Sequence, residues 1–460
     1  MIKKKNNTFE PFHYKSLSQL ENKIEELKLN IPISSDLTCL ETKKRFRNTF
    51  IPNRLGIQPM EGFDAKKDGS PSDLTKRRYR RYANSGAGLI WFEATAFMNQ
   101  GRSNSHQLMI NEQNLNAFRG LVENIRMRCN ETLNMLGFNH ECILILQLNH
   151  SGRYSKKEGK SHPIKAFNHA PLEIEKEIPN SKGKIVSDQE LKEIEDKWVK
   201  GALLAKKAGF DGVDIKSCHG YLINELLSAH EREDSQYGGE KLEDRARLLI
   251  NIIEKTKKSI ASRSNFFITT RLSAYNGIPF PYGFGVVKKK EESFPAEIDL
   301  EEPKKLISML YERGVKLINI SIGNPHHIPY LTRPYDLPAD GGEMPSEHPL
   351  FSLHRVYTIT DEIKSSSPDD MVIIGSAFSY LRQFAGNIAA GLINKDMVDI
   401  CGFGRMAFAN PEFPKQLFQE GEIDKQKTCI TCSKCSELMG KGKSTGCVIR
   451  DSLYKRMSSE

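Results

Sequence analysis

The sequence predicts an α/β chain folded as one (β/α)8 TIM barrel, with an N-terminal extension and a short cysteine-rich C-terminal segment. Three observations predict it. Eight short, β-rich apolar runs recur along the chain, helical segments separate them, and polar residues stand directly after several of the runs. Strand–helix alternation repeated eight times closes a barrel, and continuous apolar runs suit parallel strands buried on both faces. A doubly wound sheet is the alternative; the count of eight and the loop chemistry disfavour it.

Residues 15–29 (SLSQLENKIEELKLN) read as a short amphipathic helix ahead of the barrel. The strands are expected at 55–59, 88–93, 143–148, 212–215, 267–272, 317–321, 371–375 and 397–401, with helices such as 188–208 and 242–259 between them. The expected division is an extension at 1–45, the barrel at 46–415 and a tail at 416–460.

Composition excludes several classes. The chain has 460 residues, 38% hydrophobic and 27% charged, enough to bury a large core. Its +9 net charge, from 67 basic and 58 acidic residues, is diluted over that length. The basic runs at 3–5 and 288–290 lack interleaved aromatics, so they read as solvated surface and predict no nucleic-acid partner. The start MIKKKNNTFE has no apolar segment after its charges, and no run approaches the roughly 18 apolar residues of a membrane span. The expectation is a cytoplasmic protein without a membrane partner, in which thiols stay reduced. Cys39, Cys129, Cys142, Cys218 and Cys401 are scattered and read as core or loop residues.

The other four cysteines are clustered. Cys429, Cys432 and Cys435 are spaced by two residues each, and Cys447 follows after eleven more. Three close thiols and one distant one suit the corners of an iron–sulfur cube. Zinc is the alternative, although its ligands usually come as two separated pairs.

In a barrel of this kind, chemistry sits at the C-terminal ends of the strands. Gln147, then Lys216, Ser217, Cys218 and His219, then Arg271, Ser376, Gly404 and Arg405 all fall there. Polar groups from five strand ends would converge on one mouth, whereas burying that many in a core is rare.

These residues, in this order, resemble the old yellow enzyme family of FMN-dependent oxidoreductases. The resemblance covers roughly residues 53–411 and is carried by NRLGIQPMEG, GLIWFEATA, LQLNHSGR, HGYLINELLSAHEREDSQYGGEKLEDRARLL and GFGRMAFANP. The cysteine tail adds a resemblance to the branch containing 2,4-dienoyl-CoA reductase and trimethylamine dehydrogenase, where such a motif binds a 4Fe–4S cluster. The resemblance implies that Pro59, Met60 and the Glu61 backbone line one side of the isoalloxazine, with Ala94 beneath it. Gln147 would bond the pyrimidine edge. Arg271 would stabilise the reduced ring, a salt bridge to a loop carboxylate being its structural alternative. Gly375, Ser376, Ala377, Gly404 and Arg405 would hold the phosphate. Cys429, Cys432, Cys435 and Cys447 would ligate the cluster.

The implied chemistry centres on Lys216, His219 and Tyr221. The first two would polarise the carbonyl of an unsaturated small-molecule substrate, and Tyr221 would protonate its α-carbon while hydride reaches the β-carbon. Lys216 departs from the family's usual His, so an ammonium could select a carboxylate, a thioester or a more acidic group; its structural alternative is a pair with Glu61. His326 and His327, in SIGNPHHIPYLTRPYD, are weaker candidates for the pocket wall. The charges of EREDSQYGGEKLEDRAR would lock the loop after the fourth strand onto the next helix. The chain stops thirteen residues beyond Cys447, so electrons are expected from NADH or NADPH at the mouth, or through the cluster from a separate ferredoxin or flavoprotein. The oxidative alternative is an amine dehydrogenase or demethylase, which needs an acidic residue or an aromatic bowl. A flavin and iron–sulfur electron-transfer subunit is the third reading. Nothing in the sequence indicates the oligomeric state.

Overall fold

Residues two apart on a strand share a face, and that spacing builds the barrel interior. Leu89 and Trp91, Ile143 and Ile145, Val372 and Ile374 join Phe267, Leu317 and Ile400 in one buried cluster drawn from six strands. Phe46 and Ile51, from a hairpin of Lys44–Phe46 and Thr49–Ile51, complete this cluster, with Phe46 packed edge-on to Phe267 at 4.8 Å. Their neighbours on the strands, such as Leu144, Leu146 and Val213, pack with the helices into a second, larger core. Each fully buried Leu, Ile or Phe contributes about 1.5–3 kcal/mol. A one-residue register slip would exchange the two sets.

The structure is a computed structural model that describes residues 9–169, 171, 183–260, 264–289 and 294–459. The basic run at 3–5 and Lys290 lie outside the described residues. The strands are β1 (Leu55–Ile57), β2 (Leu89–Ala96), β3 (Ile143–Asn149), β4 (Gly212–Ile215), β5 (Phe267–Tyr275), β6 (Leu317–Ile322), β7 (Val372–Gly375) and β8 (Ile400–Phe403). Each pairs in parallel with the next, and β8 closes on β1. The (β/α)8 expectation is met, and the doubly wound alternative is excluded.

Local chemistry sets the helix ends. Ser16 caps α1 (Leu17–Glu26) by accepting from Gln19 N, and α1 buries Leu20 and Ile24. Ser72 opens α2 (Asp73–Ala83) and Ser187 opens α3 (Asp188–Lys207), each with a reciprocal capping box. The expected helix at 242–259 is broken at Ala246, into Leu242–Arg245 and α4 (Arg247–Ser259). The buried Arg245 is drawn onto the carbonyls of Leu227 and Gly239 and onto Glu302, which bends the chain there.

The eighth strand starts three residues later than expected. Asp399 is fully buried below it, accepting from Ile373 N at 2.8 Å and pairing with Lys44 and Lys364 at 2.6 and 3.0 Å. That network holds 397–399 as a bend ahead of the strand, which begins at Ile400. Among the described residues no helix is long and apolar enough to cross a membrane.

Candidate active site

The parallel register sets Gln147 of β3 beside Asp214 of β4, and Arg271 of β5 beside Asn319 of β6. Asp214 is a buried acid in an otherwise apolar strand. It accepts from Gln147 Nε2 at 2.5 Å, Trp91 Nε1 at 2.8 Å and Arg271 N at 2.7 Å. Burial nevertheless pushes its carboxyl up to about 6. Because Asp214 takes the Gln147 amide N–H, it fixes the amide's orientation and leaves Oε1 to accept. Sequence reasoning missed Asp214, although a lone carboxylate in GVDI was the available signal.

The loop after β4 carries the three residues expected to do chemistry. Lys216 is buried and pairs with Glu61 Oε1 at 3.2 Å. Its ammonium lies 3.9 Å from the centre of the Tyr221 ring, a cation–π contact. The structural partner considered for Lys216 is therefore present, and the ammonium is not a free anion receptor. His219 adopts φ +67°, a left-handed conformation costly for a residue with a Cβ. Its Nε2 lies 3.0 Å from Ser321 Oγ at the end of β6, and its N–H is held by Ser273 Oγ at 3.2 Å. Burial, then Arg271 and Lys216, hold the imidazole well below its usual range, so it is neutral. Burial, then the charge of Glu61, push the Tyr221 phenol well up, so it keeps its proton.

An aromatic wall stands beside these groups. Tyr154 stacks on His326 at 3.7 Å and 19°, and Tyr221 meets both rings edge-on at 5.8 and 5.9 Å. The long Pro- and His-rich loop thus reaches the mouth through His326, whereas His327 packs against Phe294. Tyr154 was not anticipated.

On the opposite arc, Pro59 and Met60 leave β1, Ala94 is fully buried in β2, and Glu61 is 6% exposed. Gly375, Ser376 and Ala377 leave β7 beside Gly404 and Arg405, which follow β8. Ser376 Oγ donates to Ile320 O, and Ala377 turns the chain at φ +76°. A Cβ on Gly402 would lie 2.1 Å from Gln58 Nε2, so a larger residue there would displace the Gln58 amide from its pair with Asn319. Arg271 is buried and has no carboxylate at ion-pair distance among the described residues, so its salt-bridge alternative is not met. Its Nε and the Arg405 Nη1 both lack partners there. Two guanidiniums, each with an N–H group left to donate, one oriented amide and a turn of backbone N–H groups fit a ligand with a hydrogen-bonding heterocycle at one end and a phosphate at the other. FMN is such a ligand.

The four tail cysteines line one pocket together with Arg405 and Phe408. Thr431 and Ser433 take left-handed φ of 52° and 55°, which folds 429–435 around it. Backbone N–H groups of Thr431 and Arg450 lie 3.5 and 3.4 Å from the sulfurs of Cys429 and Cys447. Burial pushes the Cys429 thiol up to about 12. The donor set fits a thiolate-ligated group. As placed, however, no group of three or more His, Cys, Asp or Glu side chains among the described residues is gathered to hold a metal ion. Arg333, which sequence reasoning missed, joins this region to the mouth. It bonds Ser436 Oγ, and burial, then the charge of Arg405, pull it down to about 10.

A barrel with anchoring groups of that kind at one mouth and buried neutral donors beside them suits a flavin-binding protein. Comparison fixes the family: the NADH:flavin oxidoreductase / NADH oxidase family model matches residues 45–281, and the chain belongs to that family of enzymes. It is 26% identical over 397 residues to an NADH oxidase of Thermoanaerobacter brockii, covering 86% of this chain and 52% of that one. It is 29% identical over 383 residues to an NADPH dehydrogenase of Listeria welshimeri, covering 82% and 94%. Among solved structures, a 2-naphthoyl-CoA reductase complex aligns with TM-score 0.69 at 18% identity, over 90% of this chain and 57% of that one. Morphinone reductase aligns with TM-score 0.59 at 20% identity, over 85% and 91%. These two show the fold. The chain spans about half the length of the Thermoanaerobacter protein.

Proposed function

We propose that this chain reduces an activated C=C bond of an enone, enoate or enoyl thioester, using FMN, NADH or NADPH, and a 4Fe–4S cluster in its tail. The observation that supports this most is one constellation: Lys216, a neutral buried His219 and a protonated Tyr221 at the same barrel mouth. The chemistry that FMN supplies when bound is hydride delivery to the β-carbon after reduction by the nicotinamide. Arg271 and Gln147 would orient the heterocycle, and Pro59, Met60, the Glu61 backbone and Ala94 would enclose it. Gly375, Ser376, Ala377, Gly404 and Arg405 would hold the phosphate.

The chain's own part is polarisation and proton transfer. Lys216 and His219 donate to the carbonyl oxygen, where negative charge develops as the β-carbon is reduced. A neutral imidazole donates through one nitrogen only, and Ser321 Oγ, 3.0 Å from Nε2, can donate to that nitrogen when Nδ1 carries the proton. Tyr221, kept protonated by its surroundings, gives its proton to the α-carbon. Cys429, Cys432, Cys435 and Cys447 would hold the cluster, which supplies one-electron transfer; a separate ferredoxin or flavoprotein donor belongs to the same proposal.

The oxidative reading gains the acid and the rings it requires, in Glu61, Tyr154, Tyr221 and His326. Lys216 already occupies both the carboxylate and a face of Tyr221. A substrate ammonium would meet a like charge there, which favours reduction. Anaerobic turnover of 2-cyclohexenone with NADH or NADPH tests the proposal. Bleaching of the flavin by an amine, with no alkene consumed, would replace it with the dehydrogenase reading.

A further inference from the structure

Glu61 has more to offer than its pair with Lys216. The pair uses Oε1, whereas Oε2 is buried and has no hydrogen-bond partner among the described residues. A buried acceptor without a donor is costly and rare, so it points to a missing partner. Glu61 stands at the mouth, where its charge is felt by Tyr221. Lys216 and Glu61 therefore present a donor and an acceptor side by side, with no net charge between them.

We infer that Glu61 is a specificity-determining residue that accepts a hydrogen bond from an N–H adjacent to the substrate carbonyl. The inference rests on the alkene-reductase reading and extends its substrate class to α,β-unsaturated lactams, cyclic imides and related cis-amides, which the site should prefer to the corresponding enones, enoates and thioesters. Such a group carries C=O and N–H on one edge. Its oxygen faces Lys216, and its N–H faces Glu61 Oε2. An ester or simple ketone leaves that oxygen unmet, and a free carboxylate meets it as a like charge. A site built around a buried polar group rejects analogues that lack the matching one.

The test uses flavin-loaded protein and matched ligands. Wild type should reduce 5,6-dihydro-2-pyridone with kcat/KM about tenfold or more above its N-methyl derivative. Ligand-observed NMR should show the same preference for 2-piperidone over N-methyl-2-piperidone, without turnover. In Glu61→Gln the ammonium of Lys216 keeps the amide oxygen, so the amide N–H₂ faces the ligand. The preference should then vanish or invert. Equal binding of the two piperidones to wild type, no binding of 2-piperidone at millimolar concentration, or an unchanged preference in Glu61→Gln would each overturn the inference. Should Glu61→Gln fail to fold, the wild-type pairs decide alone. Loss of all alkene turnover would remove the reductase reading, while the piperidone comparison still judges Glu61.

Discussion

Replacing Arg271 by methionine should move two quantities in opposite directions. Arg271 is 8% exposed, and among the described residues its Nε has no partner and no carboxylate lies at ion-pair distance. Burial lowers its pKa, and the charges of Cys218 and Asp214 offset that only in part. It stays protonated, because arginine does not give up its proton at any pH a protein survives. An uncompensated buried cation costs several kcal/mol, and an apolar replacement of similar volume typically recovers about 1–3 kcal/mol. Flavin-free Arg271→Met should therefore be more stable than wild type by that amount. A charge-assisted hydrogen bond to the bound flavin is worth about 1.5–3 kcal/mol, so FMN should bind roughly 10- to 150-fold more weakly. Urea melts of flavin-free protein and quenching of FMN fluorescence measure the two effects. Should Arg271→Met destabilise the flavin-free chain and leave the FMN Kd unchanged, Arg271 is a structural residue and the assignment of the ring-binding arc fails.

Tyr221→Phe should slow alkene reduction by about 10²–10⁴-fold, while flavin reduction by the nicotinamide is unaltered in stopped-flow half-reactions. Unchanged alkene reduction would take Tyr221 out of the mechanism. His348 caps a helix, Pro349–Ser365, by accepting Leu350 N–H on Nδ1, and burial pulls it down from 6.5 to about 4, with Lys23 adding to this and Glu10 opposing it. Below pH 6.5 the unfolded chain binds the proton that the folded chain refuses. This contribution is thus complete above pH 6.5 and is lost as pH falls towards 4, by at most about 3 kcal/mol. His348→Asn, which can still cap, should flatten that limb in urea melts; an identical slope would contradict the assignment. After anaerobic reconstitution, Cys435→Ser should lose iron and acid-labile sulfide yet bind FMN as before. Wild type that takes up neither would end the cluster proposal.

What was legible in the sequence was local. The third and fourth strands were placed within a residue, because Ile143–Asn149 and Gly212–Ile215 are mostly apolar, β-rich runs with polar residues at or just beyond their ends. The first strand was drawn two residues too long, since Gln58 belongs to a reciprocal amide pair with Asn319 rather than to the strand. The eighth was shifted by the network around Asp399, whose partners Lys44 and Lys364 are remote in sequence. The same limit governs the site. Strand-end residues could be read off one by one, since each sits next to its own apolar run. The Tyr154–His326 stack and the Arg333–Arg405 proximity join segments that only the closed barrel brings together. Asp214 was hidden for a different reason: its neighbours make it look like one more strand residue, and its role exists only through donors on three other strands.

The tail belongs physically to the wall of the mouth. Gly62, next to Glu61, has its N–H held by Glu93 Oε2 at 2.7 Å and its carbonyl by Thr445 N at 2.6 Å. One grip comes from β2, the other from the segment between Cys435 and Cys447. Asp451 beyond Cys447 is clamped by Arg77 and Arg81 of α2, and Asn104 bonds Gly442 O at 3.2 Å. The loop that presents Met60 and Glu61 is therefore fixed from both sides, by the barrel and by the cysteine segment. Arg405 follows β8 and lines the cysteine pocket, and Arg333 lies close enough for burial and then the Arg405 charge to depress its proton affinity. Two buried like charges are stable together only if anions are near both. On the proposed reading, a bound phosphate on one side and metal-ligated thiolates on the other would be those anions.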